Sequence, residues 1–238
     1  YKKIQIAVHA DIEDKDQTVY ITTIRTSAKD NVTGINHTEA DKEVTITDTV
    51  TYKGLEVGRE YTVSGTLMNQ RTGAKILVNG KPVTASTTFT AEKKEGSVEV
   101  VFAFDASALE GTTTVVYEKL YTENKEVAAH TDINDKGQTI YIPKVRTTAI
   151  ADDTKDHVTE AKKNVTIVDT VSYEGLEVGR EYTVKGVFMN KATGETITIN
   201  GEEVTAESTF TAKAQKGTVD VTFKFDGSAL EDTLIVVF

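Results

Sequence analysis

The chain of 238 residues carries 37 acidic side chains against 27 Lys and Arg, a formal charge of −10, with neither Cys nor Trp and with Thr the commonest residue at 39. Acidity on this scale argues against nucleic acid as a partner; a polar, Thr-rich surface suits an extracellular module, and the absence of cysteine means that its robustness must come from something other than disulfides. No apolar run approaches the roughly 20 residues of a membrane helix, and no signal peptide or sorting tail is visible, so the sequence reads as an internal or mature segment.

The segment His9 to Ile21 (HADIEDKDQTVYI) recurs as His130 to Ile142 (HTDINDKGQTIYI), at a constant offset of 121 residues. The same offset carries Arg25-Thr26 onto Arg146-Thr147, Asp48-Thr49-Val50 onto Asp169-Thr170-Val171, and Gly54 to Tyr61 onto Gly175 to Tyr182. A unit of about 120 residues encloses a core of its own, whereas solenoid units run at roughly 20 to 50, so the repeat is a domain. Residues 1–21 read as the closing hairpin of an upstream repeat, 22–142 as a complete repeat, and 143–238 as a second repeat lacking its closing strand.

Most segments alternate with period two. Val44, Ile46, Val50 and Tyr52 share one face of a strand whose other face is Thr45, Thr47, Thr49 and Thr51. Further strands are predicted over 61–68, 75–78, 83–89, 96–104, 113–121, 125–129 and 138–142, separated by turn signals such as Asn79-Gly80 and its copy Asn200-Gly201. Only Asp105 to Leu109 reads as a short helical turn, opened by an Asp cap. The fold class is therefore all-β, with tandem immunoglobulin-like sandwiches, and the short connection from Ile142 to Arg146 predicts rod-like stacking.

Strand parity places polar side chains among apolar neighbours. Asp48 shares its face with Ile46 and Val50, Glu118 with Val116 and Leu120, Gln138 with Ile140 and Ile142, and Thr26 with Ile24 and Ala28; Asp169 repeats the placement of Asp48. Burying an unpartnered amide or hydroxyl costs on the order of 1–3 kcal/mol and an isolated charge more, so these groups are expected to meet one another. Two carboxyls in one dry site cannot both ionise easily, so one should hold a proton well above its ordinary range. First and last strands of a sandwich commonly run side by side, which would bring Thr26 to Gln138. His130, eight residues before Gln138 across a turn-like stretch, is then a candidate base. Blander roles stand beside these: Thr26 as a β-former, Asp48 as a turn cap or the partner of an Arg, Glu118 at a frayed edge, His130 as an exposed loop residue. His37 and His157, at an offset of 120, read as residues of polar loops. Asp132 to Gly137 looks like half a calcium loop, but Lys136 occupies a ligand position and no acidic twelfth residue follows. No metal or cofactor is implied.

The motifs Arg-Thr-(Ser/Thr)-Ala, Asp-Thr-Val-x-Tyr-x-Gly-Leu, Gly-Arg-Glu-Tyr-Thr-Val, Val-Val-(Tyr/Phe)-Glu and His-x-Asp-Ile-Asn-Asp-x-x-Gln-Thr resemble, over essentially the whole chain, the VaFE-type Thr–Gln ester-bond domains of Gram-positive surface adhesins, whose sandwiches are similar to collagen-adhesin B domains. The resemblance implies that Thr26, on the first strand, attacks the Gln138 carboxamide with loss of ammonia, leaving an intramolecular ester. His130 would be base and proton shuttle, with Asp48 and Glu118 as the acidic pair. Thr147 and Asp169 form an incomplete second site, and His9 with Gln17 an orphan half-site. It further implies a single-turnover structural stalk on a cell-wall-anchored surface protein, with neighbouring repeats as partners, and a possible head-to-tail pairing in which Gln17 meets Thr147 of another chain. An isopeptide-bonded domain is the alternative, although it needs a first-strand Lys where Thr26 stands; a module for a host ligand is another, and a hydrolase the least favoured.

Overall fold

The computed structural model describes residues 7–238, so the first arm of the hairpin expected at the N-terminus, over residues 1–6, lies outside the described residues. Two all-β sandwiches follow one another. The first contains β1 (Thr23–Asp30), β2 (Val44–Lys53), β3 (Glu60–Asn69), β4 (Leu77–Val78), β5 (Lys81–Pro82), β6 (Thr84–Thr90), β7 (Glu95–Phe104), β8 (Thr112–Thr122), β9 (Lys125–His130) and β10 (Thr139–Ile142). The second contains β11 (Lys144–Ala151), β12 (Val165–Glu174), β13 (Glu181–Asn190), β14 (Thr198–Ile199), β15 (Glu202–Glu203), β16 (Thr205–Thr211), β17 (Lys216–Phe225) and β18 (Ile235–Val237).

The period-two pattern becomes a sandwich because each sheet has one apolar face to bury. In the first repeat a sheet ordered β1-β2-β7 packs on one ordered β10-β8-β3-β6. Ile46, Val50, Leu67, Phe102, Leu120 and Ile140 meet between them almost wholly excluded from water. Each such side chain stabilises the fold by roughly 1.5–3 kcal/mol relative to exposure. The Asn79-Gly80 and Asn200-Gly201 pairs take positive φ at both positions, as a tight hairpin turn with right-handed strand twist requires, and join β4 to β5 and β14 to β15.

β8 organises the closing end. One edge pairs with β3 along most of its length, while the other is shared by two short partners: Thr112 to Val115 pair with β10, and Glu118 to Thr122 with β9. Between β9 and β10 the chain leaves the sheet, passes Asp135 and makes a 3-10 turn over Lys136–Gln138. The predicted last strand therefore starts one residue late, and Gln138 belongs to the turn. β10 is buried on both faces, so its alternation said nothing about which way Gln138 faces. The expected side-by-side pairing of first and last strands is also corrected, since β1 and β10 belong to opposite sheets and meet across the open edge of the sandwich. Asp105 to Leu109 forms no helix: Asp105 Oδ1 accepts the Ser107 N–H at 2.9 Å, and a reverse turn satisfies the backbone locally. The strand predicted over 75–78 shrinks to β4, with Lys75 bridged only to Met68.

Pro143 alone separates β10 from β11. Against the expectation of a polar loop, His37 is buried at the joint between repeats, stacked on Tyr141 with ring centroids 4.9 Å apart. Its Nε2 lies 2.8 Å from the Tyr182 hydroxyl of the second repeat, and Arg180 donates to Asn36 Oδ1 at 3.2 Å. The turn geometry explains the difference from His157, which is exposed: Thr33 Oγ1 donates to the His37 carbonyl and Thr154 Oγ1 to that of Val158, so the true counterpart of His37 is Val158.

Candidate functional site

Three strands and one turn converge on the site. β1 carries Thr26 with its hydroxyl oxygen buried, while Ser27 beside it faces solvent, which separates the two adjacent hydroxyls as parity predicts. β2 runs antiparallel to β1, with Ala28 opposite Asp48 and Thr26 opposite Val50, so Asp48 enters the core beside Thr26. Its side chain is wholly buried. β8 brings Glu118, equally buried, directly opposite His130 at the end of β9. The turn then returns Gln138, also without exposure, to the start of β10. A Cβ placed on Gly137 would lie 3.6 Å from the Thr26 carbonyl oxygen, so the turn bearing the carboxamide rests directly on the strand bearing the hydroxyl.

The sequence-predicted residues Thr26, Asp48, Glu118, His130 and Gln138 are thus brought into one place. The Thr26 hydroxyl, both oxygens of Asp48 and of Glu118, and both heteroatoms of the Gln138 carboxamide are buried without a well-aligned hydrogen-bond partner. Native interiors tolerate few such groups, and a cluster of them marks a place where chemistry replaces satisfaction. Burial pushes the Glu118 carboxyl up to about 9, helped by the facing Asp48. Burial also raises Asp48, to about 6, and the Glu118 proton, the Gln138 carboxamide, the Ser27 backbone amide and His130 keep it from rising further. The carboxyls are close enough to bias each other's protonation without being aligned as an ideal hydrogen bond. Glu118 is the member that keeps its proton at neutral pH.

Two contributors are not evident from the sequence pattern. Gly65 on β3 sits opposite Glu118, where an added Cβ would collide with the carboxyl and with the Phe102 ring. Its only signal was a glycine in mid-strand, repeated as Gly186. Asp135 accepts from the ring of His130, its Oδ2 2.6 Å from Nε2, and caps the turn before Gln138.

The second repeat gathers less. Asp169 is buried and its carboxyl raised by burial, with the Thr147 hydroxyl opposing the rise, but Thr147 itself is exposed. Phe238 corresponds to Tyr117, the residue before Glu118. His9 and Gln17 are both exposed, and the described residues bring neither to Thr147. Among the described residues no His, Cys, Asp and Glu grouping is suited to a metal ion, and no helix is long and apolar enough to cross a membrane.

The family model described as "T-Q ester bond containing domain" matches residues 22–142 and 143–238. No curated protein matches the chain. Among solved structures, a bacterial adhesin from Mobiluncus mulieris containing intramolecular disulfide, isopeptide and ester bond cross-links, known in two crystal forms, is 17% identical, with 84% of this chain and 76% of that one covered at a TM-score of 0.46. A putative β-galactosidase from Bacteroides fragilis is 12% identical, with 66% and 20% covered at a TM-score of 0.37. Likenesses of this size carry no argument about function.

Proposed function

The chain belongs to the family of T-Q ester bond containing domains, and on that premise we propose that it is a stalk segment of a Gram-positive, cell-wall-anchored surface adhesin, of the VaFE type, whose complete repeat staples itself with an ester between Thr26 and Gln138. The observation that carries this reading is the burial in one place of the Thr26 hydroxyl and the Gln138 carboxamide, neither with a well-aligned hydrogen-bond partner, beside the two buried carboxyls of Asp48 and Glu118.

The reaction follows from these groups. Thr26 Oγ1 attacks Gln138 Cδ while His130 takes the hydroxyl proton; the new C–O bond makes Cδ tetrahedral and places negative charge on Gln138 Oε1. The proton held by the Asp48 and Glu118 pair stabilises that charge, in a dry site where such an interaction is strong. His130 returns the Thr proton to the departing nitrogen, the C–N bond breaks, and ammonia leaves. Nothing turns over, so the domain is its own and only substrate. Host-ligand binding and isopeptide chemistry are less well supported, the latter because Thr26 stands where a Lys would be needed.

Intact mass is the test. A chain lighter by one ammonia, with Thr26 and Gln138 joined in a single peptide species, is expected; folded protein at its unmodified mass would sink the proposal. Pairing of Gln17 with Thr147 of another chain would be a second cross-link of the same kind, and chains that stay monomeric on denaturing gels count against it.

A further inference from the structure

We infer that the segment Asn36–Thr38 is a strap that seats β10, and with it Gln138, before the ester forms, and that His37 is its positioning side chain. The inference rests on the ester reading and deepens it. β10 is four residues long and joins its sheet along one edge only, through β8. Alternate residues of such a strand turn their backbone groups toward the partner, and those of Tyr141 point away. The Tyr141 N–H donates to the Asn36 carbonyl at 3.0 Å, and the Tyr141 carbonyl accepts the Thr38 N–H at 3.0 Å. His37 thus forms a parallel bridge to Tyr141 and lays its ring on that of Tyr141, the planes 23° apart and both residues buried. A short strand held on one edge is a weak element, and these contacts cover the other edge.

The strap connects the two reacting strands. It begins ten residues after Thr26, on the chain that leaves β1, and it holds β10 three residues after Gln138. Between β1 and the strap the chain turns back on itself: the Asp30 N–H donates to the Ile35 carbonyl at 2.9 Å, the Gly34 N–H to the Asp30 carbonyl at 2.9 Å, and the Thr33 hydroxyl to the His37 carbonyl at 2.6 Å. The second repeat supplies an independent observation. There the Ala151 N–H donates to the Asp156 carbonyl at 2.8 Å, the Lys155 N–H to the Ala151 carbonyl at 2.9 Å, and the Thr154 hydroxyl to the Val158 carbonyl at 2.6 Å. Yet among the described residues no copy of β10 lies against that segment, and Val158 is 68% exposed. The turn is therefore made by the end of the first strand and its own residues, and in the first repeat it presents the strap to β10. Until the bond closes, only chains with β10 seated hold the carboxamide beside the hydroxyl, so the rate follows the seated fraction.

Chains are made by cell-free synthesis and quenched in acid at intervals, and the fraction lighter by one ammonia gives the rate. Thr38→Pro removes the N–H that the Tyr141 carbonyl accepts, and His37→Ala removes the stacked ring. Both are expected to react roughly 3- to 10-fold more slowly, the change in seated population that one backbone hydrogen bond of ordinary net strength sets. Thr38→Ala keeps the N–H and His37→Phe keeps a ring over Tyr141, so both are expected at the parental rate. Tyr182→Phe, which cuts the link from His37 to the second repeat, is expected there too. A parental rate in Thr38→Pro or His37→Ala overturns the proposal, as does a His37→Phe chain as slow as His37→Ala; a Tyr182→Phe chain that slow places the effect at the joint and also overturns it. To separate seating from misfolding, amide exchange is measured with Thr26→Val present to block the bond. Adding His37→Ala should speed exchange at the Tyr141 amide roughly 3- to 10-fold and leave the Leu67 amide, which donates to the Val83 carbonyl in the core, unchanged. Equal acceleration at both amides assigns the slow reaction to loss of the fold and overturns the strap. A parent chain that loses no ammonia refutes the ester itself, while exchange at Tyr141 still reads the strap.

Discussion

Replacing Thr26 by Val removes the nucleophile at nearly constant volume and leaves the acidic pair buried but unreacted. Glu118, raised to about 9 in the fold from an ordinary 4.5, then makes stability depend on pH in a direction unusual for a carboxyl. Above its ordinary range the unfolded chain has released the proton and the folded chain still holds it, so folding takes up a proton. Stability therefore falls as pH rises, until the folded state also ionises near 9. One proton is worth up to about 1.4 kcal/mol per pH unit. Relaxation and water entry reduce that ceiling, so between about pH 5 and pH 8 the loss should be roughly 2–4 kcal/mol. Urea unfolding at several pH values, read on the transition that Thr26→Val itself shifts, measures it. Adding Glu118→Gln, which keeps the shape but cannot ionise, should flatten the dependence. A Thr26→Val chain whose stability is flat or rising from about pH 5 to pH 8 refutes the claim that Glu118 holds a proton.

Hydroxylamine or mild alkali should open an ester and not an isopeptide, freeing the Thr26 hydroxyl and leaving a hydroxamate or a carboxylate respectively at position 138, and lowering the stability of the first repeat by roughly 4–5 kcal/mol, the chain-entropy value for a loop of this length; the mass gained and the urea midpoint report both. Gly65→Ala should displace Glu118 or Phe102, leaving isolated protein largely without the bond, with a stability cost of roughly 1–3 kcal/mol. At the joint, burial and then Arg180 lower the His37 imidazole from its ordinary 6.5, with Glu177 opposing. Docking therefore favours neutral His37, and the joint should weaken as pH falls below about 6.5. A His37→Ala chain, missing the Tyr182 hydrogen bond and the Tyr141 stack, should show a wider spread of inter-repeat distances by double electron resonance at every pH, and an unchanged spread would contradict the assignment.

The sequence made some of this legible for a definite reason. Asp48 and Glu118 lie within long strands whose apolar neighbours fix the parity, so a polar residue on the inward face stands out. Thr26 was separable from Ser27 on the same ground. Gln138 was placed inward by its parity with Ile140 and Ile142, yet it sits on a 3-10 turn where period-two reasoning has no force, so the motif resemblance carried it. Sheet membership was missed because β8 splits one edge between β9 and β10, and nothing in composition reports such sharing. His37 was misread because burial at a joint between domains depends on Tyr182 and Arg180, some 145 residues away in the chain. Gly65 was missed because it acts through Glu118, which only the pairing register brings near, and Asp135 because its contacts are made within a turn that period-two reasoning does not describe.

The placement of Thr26 and Gln138 has a mechanical consequence that belongs with the stalk reading. Tension enters the first repeat at β1 and leaves at the end of β10. Thr26 lies three residues inside β1, and Gln138 immediately precedes β10. With the ester closed, the load path runs from Thr23 to Thr26, across the bond, and from Gln138 to Ile142, so the chain between them carries no load. Because β1 and β10 belong to opposite sheets, no backbone ladder joins them, and without the bond each can be peeled from its own sheet, β1 from β2 and β10 from β8, one hydrogen bond at a time. Single-molecule pulling from the two ends of the chain should therefore show no release of the first repeat in the parent protein. In Thr26→Val the freed segment should add roughly 350–400 Å of contour length, at about 3.3–3.6 Å per residue. An extension of that size from a parent chain whose mass shows the bond closed would refute the assigned path of force.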